Sequence, residues 1–217
     1  AVESLRQVED RGDAILFGAM ITHAAIEDGR APDPANGMMR AVAADIAYRA
    51  VRTRGTIGGS LGHADPAADW VTAMTALGAS VHVAGRAGER VVPMDRFMTG
   101  AFATVLAEGE ALTGVLVPKR SPRARWGYYK ICRKPGEFAE AIGAVVLDPA
   151  DGFRRVVMGA VGGAPAILDA LAHRLSFDTR SSIARADILA AAPGMDAIDA
   201  QLHAVAVERA IAMAYAR

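Results

Sequence analysis

The residues best placed to do chemistry gather in one stretch, Gly55-Thr-Ile-Gly-Gly-Ser-Leu-Gly-His-Ala-Asp-Pro-Ala-Ala-Asp69. It holds four of the 22 glycines, two hydroxyls, one histidine and two carboxylates. Glycine lets a backbone approach a ligand closely and adopt angles that a Cβ forbids. Consecutive backbone N–H groups in such a turn can cradle an anion, and the run Thr56 to Ser60 is expected to do so. The Thr56 and Ser60 hydroxyls can add hydrogen bonds. Asp65-Pro66 reads as a helix start, with Asp65 as cap and Pro66 in the first turn. Asp69 would accept from sugar hydroxyls, or serve only as a first-turn acid favoured by the helix dipole. His63 could contact the same ligand or be structural. On these residues alone, a nucleotide site and a tight structural turn both remain open.

Other chemistries find no residues. Gly58-Gly-Ser-Leu-Gly62 is neither a Walker A loop nor a Gly-x-Gly-x-x-Gly fingerprint. There is no Gly-x-Ser-x-Gly elbow, no His-Glu-x-x-His and no carboxylate pair suited to acid–base work. His23, His82, His173 and His203 lack metal-ligand spacing, so no metal site and no catalytic side chain is assigned. An enzyme built this way would let a bound cofactor carry the reaction. The single cysteine, Cys132, excludes an internal disulfide and fits a reducing cytoplasm. It lies in a basic stretch that could lower its thiol pKa, or is an inert small hydrophobe.

The elements that must position these residues follow from composition and period. The chain has 217 residues, 52% hydrophobic and 6% aromatic, rich in alanine, with 24 basic residues against 24 acidic. This is an ample core with small-residue helix packing and no net field for nucleic acid or an anionic membrane. No apolar run approaches the ~20 residues that cross a bilayer. Residues 2–9 form a short helix or turn, and Ala14 to Met20 a buried strand. A short helix follows with Thr22 as cap. A longer one spans Met38 to Val51 at helical spacing. After the glycine stretch a helix covers Ala67 to Ala76. Two strands, Ala79–Val83 and Glu89–Val92, are joined at Gly85-Arg-Ala-Gly88. A helical piece runs from Asp95 to Ala107, and a strand from Leu112 to Val117. Lys119 to Arg125 is a basic linker, with a nucleic-acid patch as the alternative. Beyond it come a strand at Trp126–Ile131, a helix near Pro135, and a hairpin whose strands Ala141–Leu147 and Phe153–Val161 bracket Asp148-Pro-Ala-Asp-Gly152. Helices are expected around 164–175, 182–192 and 196–216, the last with Ile198, Leu202, Ala206 and Ala210 on its apolar face.

The stretch Arg54 to Asp69 closely resembles the flavin loop of the FAD-binding medium subunits of molybdenum hydroxylases, the carbon monoxide dehydrogenase and xanthine dehydrogenase family. Phe17-Gly-Ala-Met-Ile-Thr-His23, Leu112 to Pro118, Tyr128-Tyr-Lys-Ile-Cys-Arg-Lys-Pro-Gly-Glu-Phe138 and Phe153 to Pro165 extend the likeness along nearly the whole chain. The resemblance implies an α+β fold: part of an FAD-binding domain of the PCMH/VAO type over residues 1–118, then a C-terminal flavoprotein domain over 119–217, with a hairpin sheet and three helices. It implies that Thr56, Ile57, Gly58, Gly59 and Ser60 hold the FAD pyrophosphate. Asp69 would bind the adenosine side or a nearby polar group of the cofactor, and Leu112 would pack near the flavin. Lys130 would sit beside the ring, where a cation stabilises negative charge on the reduced flavin; a solvated strand-end lysine is the alternative. Ser60 stands where many relatives have Asn, and both can hydrogen-bond. Family members usually open with a subdomain carrying an Ala-Gly-Gly-x-Ser/Asp-Leu loop. None precedes Gly55 here, so the chain is expected to begin partway into the flavin domain.

By the same resemblance, a molybdopterin subunit oxidises substrate, and electrons pass through a [2Fe–2S] subunit and FAD to an external acceptor. The partners implied are those two subunits, in a dimer of heterotrimers, with no nucleic acid and no membrane span. Two other readings stay open: a structural subunit that no longer binds FAD, and a stand-alone flavin reductase of the same superfamily.

Overall fold

Apolar residues at Ile15, Phe17, Val115 and Val117 alternate along two stretches, and such strands must bury one face. The structure, a computed structural model, describes residues 3–177, 183 and 185–217. Strands β1 (Val8–Asp10), β2 (Ala14–Gly18), β3 (Ser80–Gly85), β4 (Gly88–Pro93) and β7 (Ala111–Pro118) form an antiparallel sheet of five, in the order β1-β2-β7-β3-β4. Strands β5 (Met98–Gly100) and β6 (Ala103–Thr104) make a small separate pair. A second antiparallel sheet contains β8 (Arg125–Ile131), β9 (Ala141–Asp148), β10 (Phe153–Gly159) and β11 (Ala166–Ile167), in the order β11-β10-β9-β8. The β9–β10 hairpin pairs Phe153 with Asp148, as its turn residues predict.

Between the sheets lies α5 (Asp69–Leu77), all nine of whose residues are buried. A helix closed on every side must be largely apolar, and Trp-Val-Thr-Ala-Met-Thr-Ala-Leu supplies that, with the Thr75 hydroxyl donating to the Val71 carbonyl. It packs on β7, β9 and β10. Against it pack α2 (Met38–Ala44) and α4 (Ile57–His63), while α1 (His23–Glu27) lies on α2 and α3 (Arg49–Arg52) on α1. One core therefore includes Phe17, Trp70, Val115 and, from the second sheet, Trp126, Tyr128 and Ile142. The opposite face of the second sheet builds another core with α6 (Asp169–Arg174), α7 (Arg185–Ala191) and α8 (Ala197–Tyr215). In that layer Gly127 and Gly143 let α8 lie directly on β8 and β9, since a Cβ on either would overlap the carbonyls of Ala210 and Ala206.

The α+β architecture is as expected, with several local differences. The helix expected over 38–51 breaks after Ala44, and α3 resumes at Arg49. Between them Asp45's carbonyl accepts from Lys130 Nζ at 2.8 Å, and Ala47 turns left-handed at φ 42°. Asp65-Pro66 does not open α5: the Asp65 carboxylate accepts from Ala67 N at 2.9 Å in a tight turn, and Ala68 caps the helix. The helix expected over 95–107 is a single 3₁₀ turn followed by the β5–β6 pair, reversed where Phe102 takes φ 56°. No helix starts at Pro135, because Gly136 at φ 85° makes a turn. The helix expected over 164–175 begins only at Asp169, after β11. Residues 178–182 and 184 lie outside the described residues, and with them the start of the helix expected at 182. On α8 the buried face is Ala200, His203, Ala206, Val207, Ala210 and Ile211, while Ile198 is 75% exposed.

The basic linker is tied into the fold. Lys119 Nζ donates to Asp10 at 2.7 Å. Arg120 donates to the Leu77 carbonyl at 2.6 Å, and its guanidinium covers the Phe153 ring at 3.6 Å. Asp148 accepts from Ser121 N at 2.7 Å, and Asn36 Nδ2 donates to the carbonyls of Ser121 and Ala124.

Candidate functional site

The glycine stretch is a helix rather than an open loop. Three glycines in Ile57–His63 are poor helix formers, so tertiary bonds must hold α4. Thr56 caps it, its hydroxyl accepting from Gly59 N at 3.1 Å. Ile57 N donates to Ile21 O and Gly58 N to Ala19 O, both at 3.0 Å, while Ser60 N donates to Thr56 O. Ile57 and Leu61 are fully buried beneath. A Cβ on Gly58 would meet Ala19 Cβ at 2.5 Å, so close packing on the strand end explains that glycine. The amides of Ile57, Gly58, Gly59 and Ser60 thus each have a partner within the fold. The segment carries the Ser60 side chain to a cavity.

That cavity, of about 190 Å³, is lined by His23, Ser60, His63 and Asp69, by the apolar Ile46, Ala47, Val51 and Ala68, and by Gly136, Glu137 and Phe138. Its walls come from α4, the start of α5, the break after α2, and the turn between β8 and β9. Phe138 is 67% exposed at one side. His63 packs its ring against Phe102, 5.2 Å between centroids.

Asp69 carries the polar network at this site. Tyr128 Oη donates to Asp69 Oδ1 at 2.7 Å, and Lys130 Nζ lies 3.0 Å from the same oxygen. Lys130 also donates to the Asp45 carbonyl and stands 3.6 Å from the Asp45 carboxylate. Its side chain is only 2% exposed, so it is no solvated strand-end lysine. Burial pushes the Asp69 carboxyl above its ordinary value, against the opposing pull of Lys130 and Tyr128. Burial, and then Asp69's charge, push the Tyr128 phenol well up, which keeps its hydroxyl a donor. Tyr128 and Lys130 are two apart on β8, hence on one face.

Ser60 and Asp69 therefore share the cavity, with Lys130 directly behind Asp69. Thr56, Ile57, Gly58 and Gly59 build the turn that brings Ser60 there. Leu112 stands apart: it pairs opposite Val83 on the core side of the first sheet, on the strand against which α4 packs. Sequence reasoning missed Tyr128, although its two-residue spacing from Lys130 was available, and missed the apolar wall of Ile46, Ala47 and Val51. It also gave His23 no role. Trp70 Nε1 donates to His23 Nδ1 at 2.9 Å, which makes the ring part of the cavity wall in a fixed orientation. Among the described residues no three His, Cys, Asp or Glu gather to hold a metal ion.

The family model described as "FAD binding domain in molybdopterin dehydrogenase" matches residues 1–120. The nicotine 6-hydroxylase medium subunit of Paenarthrobacter nicotinovorans is 40% identical over 163 residues, 75% of this chain and 57% of that protein. The carbon monoxide dehydrogenase medium chain of Hydrogenophaga pseudoflava is 33% identical over 151 residues, 67% of this chain and 51% of that one. The chain spans little more than half the length of these relatives. The solved carbon monoxide dehydrogenase from Hydrogenophaga pseudoflava that lacks the Mo-pyranopterin moiety superimposes with a TM-score of 0.89 at 27% identity. That match covers 99% of this chain and 79% of the solved one.

Proposed function

This chain belongs to the FAD-binding medium-subunit family of the molybdenum hydroxylases, and we propose that it is the FAD-bearing, electron-transferring subunit of such a complex. Its partners in this reading are a molybdopterin-binding large subunit and a [2Fe–2S] small subunit, assembled as a dimer of heterotrimers in the cytoplasm. No described helix is long and apolar enough to cross a membrane. We place the division between the FAD-binding unit and the C-terminal unit at 118/119.

The observation that carries this reading is that Ser60 and Asp69 meet at one largely apolar cavity, with the buried Asp69–Lys130 pair behind it. The residues fit the cofactor in kind. Ile46, Ala47, Val51 and Phe138 offer apolar surface to a flat ring, and Ser60 and Asp69 offer a hydroxyl and an acceptor for its polar parts. FAD supplies the redox chemistry when bound. Thr56, Ile57, Gly58 and Gly59 serve by fixing the turn that presents Ser60 to the pyrophosphate end. Asp69 accepts from cofactor hydroxyls while Tyr128 and Lys130 hold its orientation. Lys130 contributes a fixed positive charge behind that carboxylate, and Leu112 shapes the strand beneath α4.

The test is to purify the chain with its two partner subunits, add the substrate of the complex without an acceptor, and follow flavin absorbance. Bleaching that disappears when FAD is stripped and returns when it is restored supports the proposal. Full turnover by a complex without flavin absorbance would overturn it.

A further inference from the structure

His23 is 5% exposed and lines the cavity, yet only one of its ring nitrogens is occupied. Indole nitrogen can only donate. The 2.9 Å bond from Trp70 Nε1 therefore makes Nδ1 the acceptor and places the ring proton on Nε2. Among the described residues Nε2–H has no hydrogen-bond partner. It is not among the fully enclosed side-chain atoms that lack a partner, so it is open to an acceptor from outside the chain. At Gly55 a Cβ would press on Cδ2 and Nε2 at 2.8 Å, so glycine there avoids a clash with the ring.

We propose that His23 is a ligand-binding residue of this cavity, and that its Nε2–H donates to a neutral acceptor, a carbonyl oxygen or ring nitrogen, on the edge of a heteroaromatic ring lying against Ile46, Ala47 and Val51. Neutrality is the chemical point. Burial, with the Arg52 charge adding to it, holds the His23 pKa down to about 4. The imidazole thus offers a hydrogen bond without a positive charge, which suits a ring edge better than a phosphate. The inference deepens the reading of the cavity as part of an FAD site. FAD has two rings of this kind, in its flavin and its adenine.

Two measurements test it on the full chain. Long-range ¹H–¹⁵N NMR of the ligand-free protein should show His23 as the Nε2–H form from pH 5.5 to 8. An Nδ1–H form, or a titration near 6.5, would overturn the assignment whatever binds. Titrations with FAD, riboflavin and ADP then compare the unaltered chain with His23→Ala and His23→Gln, each checked for fold by circular dichroism. Loss of one hydrogen bond predicts roughly tenfold weaker FAD binding for His23→Ala. His23→Gln, which keeps a donor, should recover most of it. The same loss with riboflavin alone, or with ADP alone, supports the inference and names the ring. FAD binding by the unaltered chain that His23→Ala leaves unchanged would overturn the role of His23 only. No FAD binding by the unaltered chain would overturn the reading of the cavity, and this inference with it.

Discussion

Lys130 Nζ lies 3.0 Å from Asp69 Oδ1, and the two side chains are 2% and 10% exposed. One stands on β8 of the second sheet, the other at the first position of the central helix. A charge pair so enclosed carries desolvation costs that only its own geometry offsets, and removing one partner leaves the other charge uncompensated.

Lys130→Met should therefore destabilise the fold by about 3–5 kcal/mol at neutral pH in urea unfolding. Asp69 loses the cation that pulls its carboxyl down, so it takes up a proton more readily and the deficit should shrink in acid. The double variant Asp69→Asn/Lys130→Met should lie closer to the unaltered chain than Lys130→Met does. Strict additivity of the two single changes would show that the pair is not coupled.

Tyr128→Phe removes the 2.7 Å donor from the same carboxylate. A stability loss of about 1–3 kcal/mol is expected. Since that hydroxyl favours the ionised form, Asp69 should titrate at higher pH in the variant, as read by carboxyl ¹³C NMR. An unchanged titration would show that the hydrogen bond does not hold Asp69.

His23 gives the fold an acid sensitivity with a defined window. Its pKa is about 4 when folded, against 6.5 for an ordinary histidine. Between those values the unfolded chain binds the extra proton, so stability falls as pH drops from 6.5 to 4 and is fully present above. That shift corresponds to about 3 kcal/mol at most. His23→Gln should flatten this part of the stability–pH curve. A slope that survives the substitution would assign it elsewhere.

Gly143→Ala tests how closely α8 is seated. The new methyl would overlap the Ala206 carbonyl, and the helix would have to lift from β9. A loss of about 1–3 kcal/mol in thermal or urea unfolding is expected. A variant as stable as the original would mean that α8 is loosely docked.

The sequence made the strands and the hairpin legible because their apolar alternation and turn residues are local signals, as at Phe153 and Asp148. It also marked Ser60, Asp69 and Lys130. What it hid came from partners distant in the chain. The break after α2 depends on Lys130, 85 residues away, which holds the Asp45 carbonyl. The amides of Ile57 and Gly58 meet carbonyls at Ile21 and Ala19, so a glycine run that reads as an open anion loop folds as a pinned helix. His23 lacked any metal or catalytic spacing, and its significance depends on Trp70, 47 residues on. The segment after Asp95 reads as helical by composition, but the left-handed turn at Phe102 makes a hairpin of it.

The proposed FAD site is the cavity where Ser60, Asp69 and His23 meet. Equilibrium titration of the folded 217-residue chain with FAD, followed by flavin fluorescence, tests it most directly. A saturable change at one FAD per chain is expected, weakened by both Ser60→Ala and Asp69→Asn. A folded chain with no saturable change, or binding indifferent to both substitutions, would contradict it.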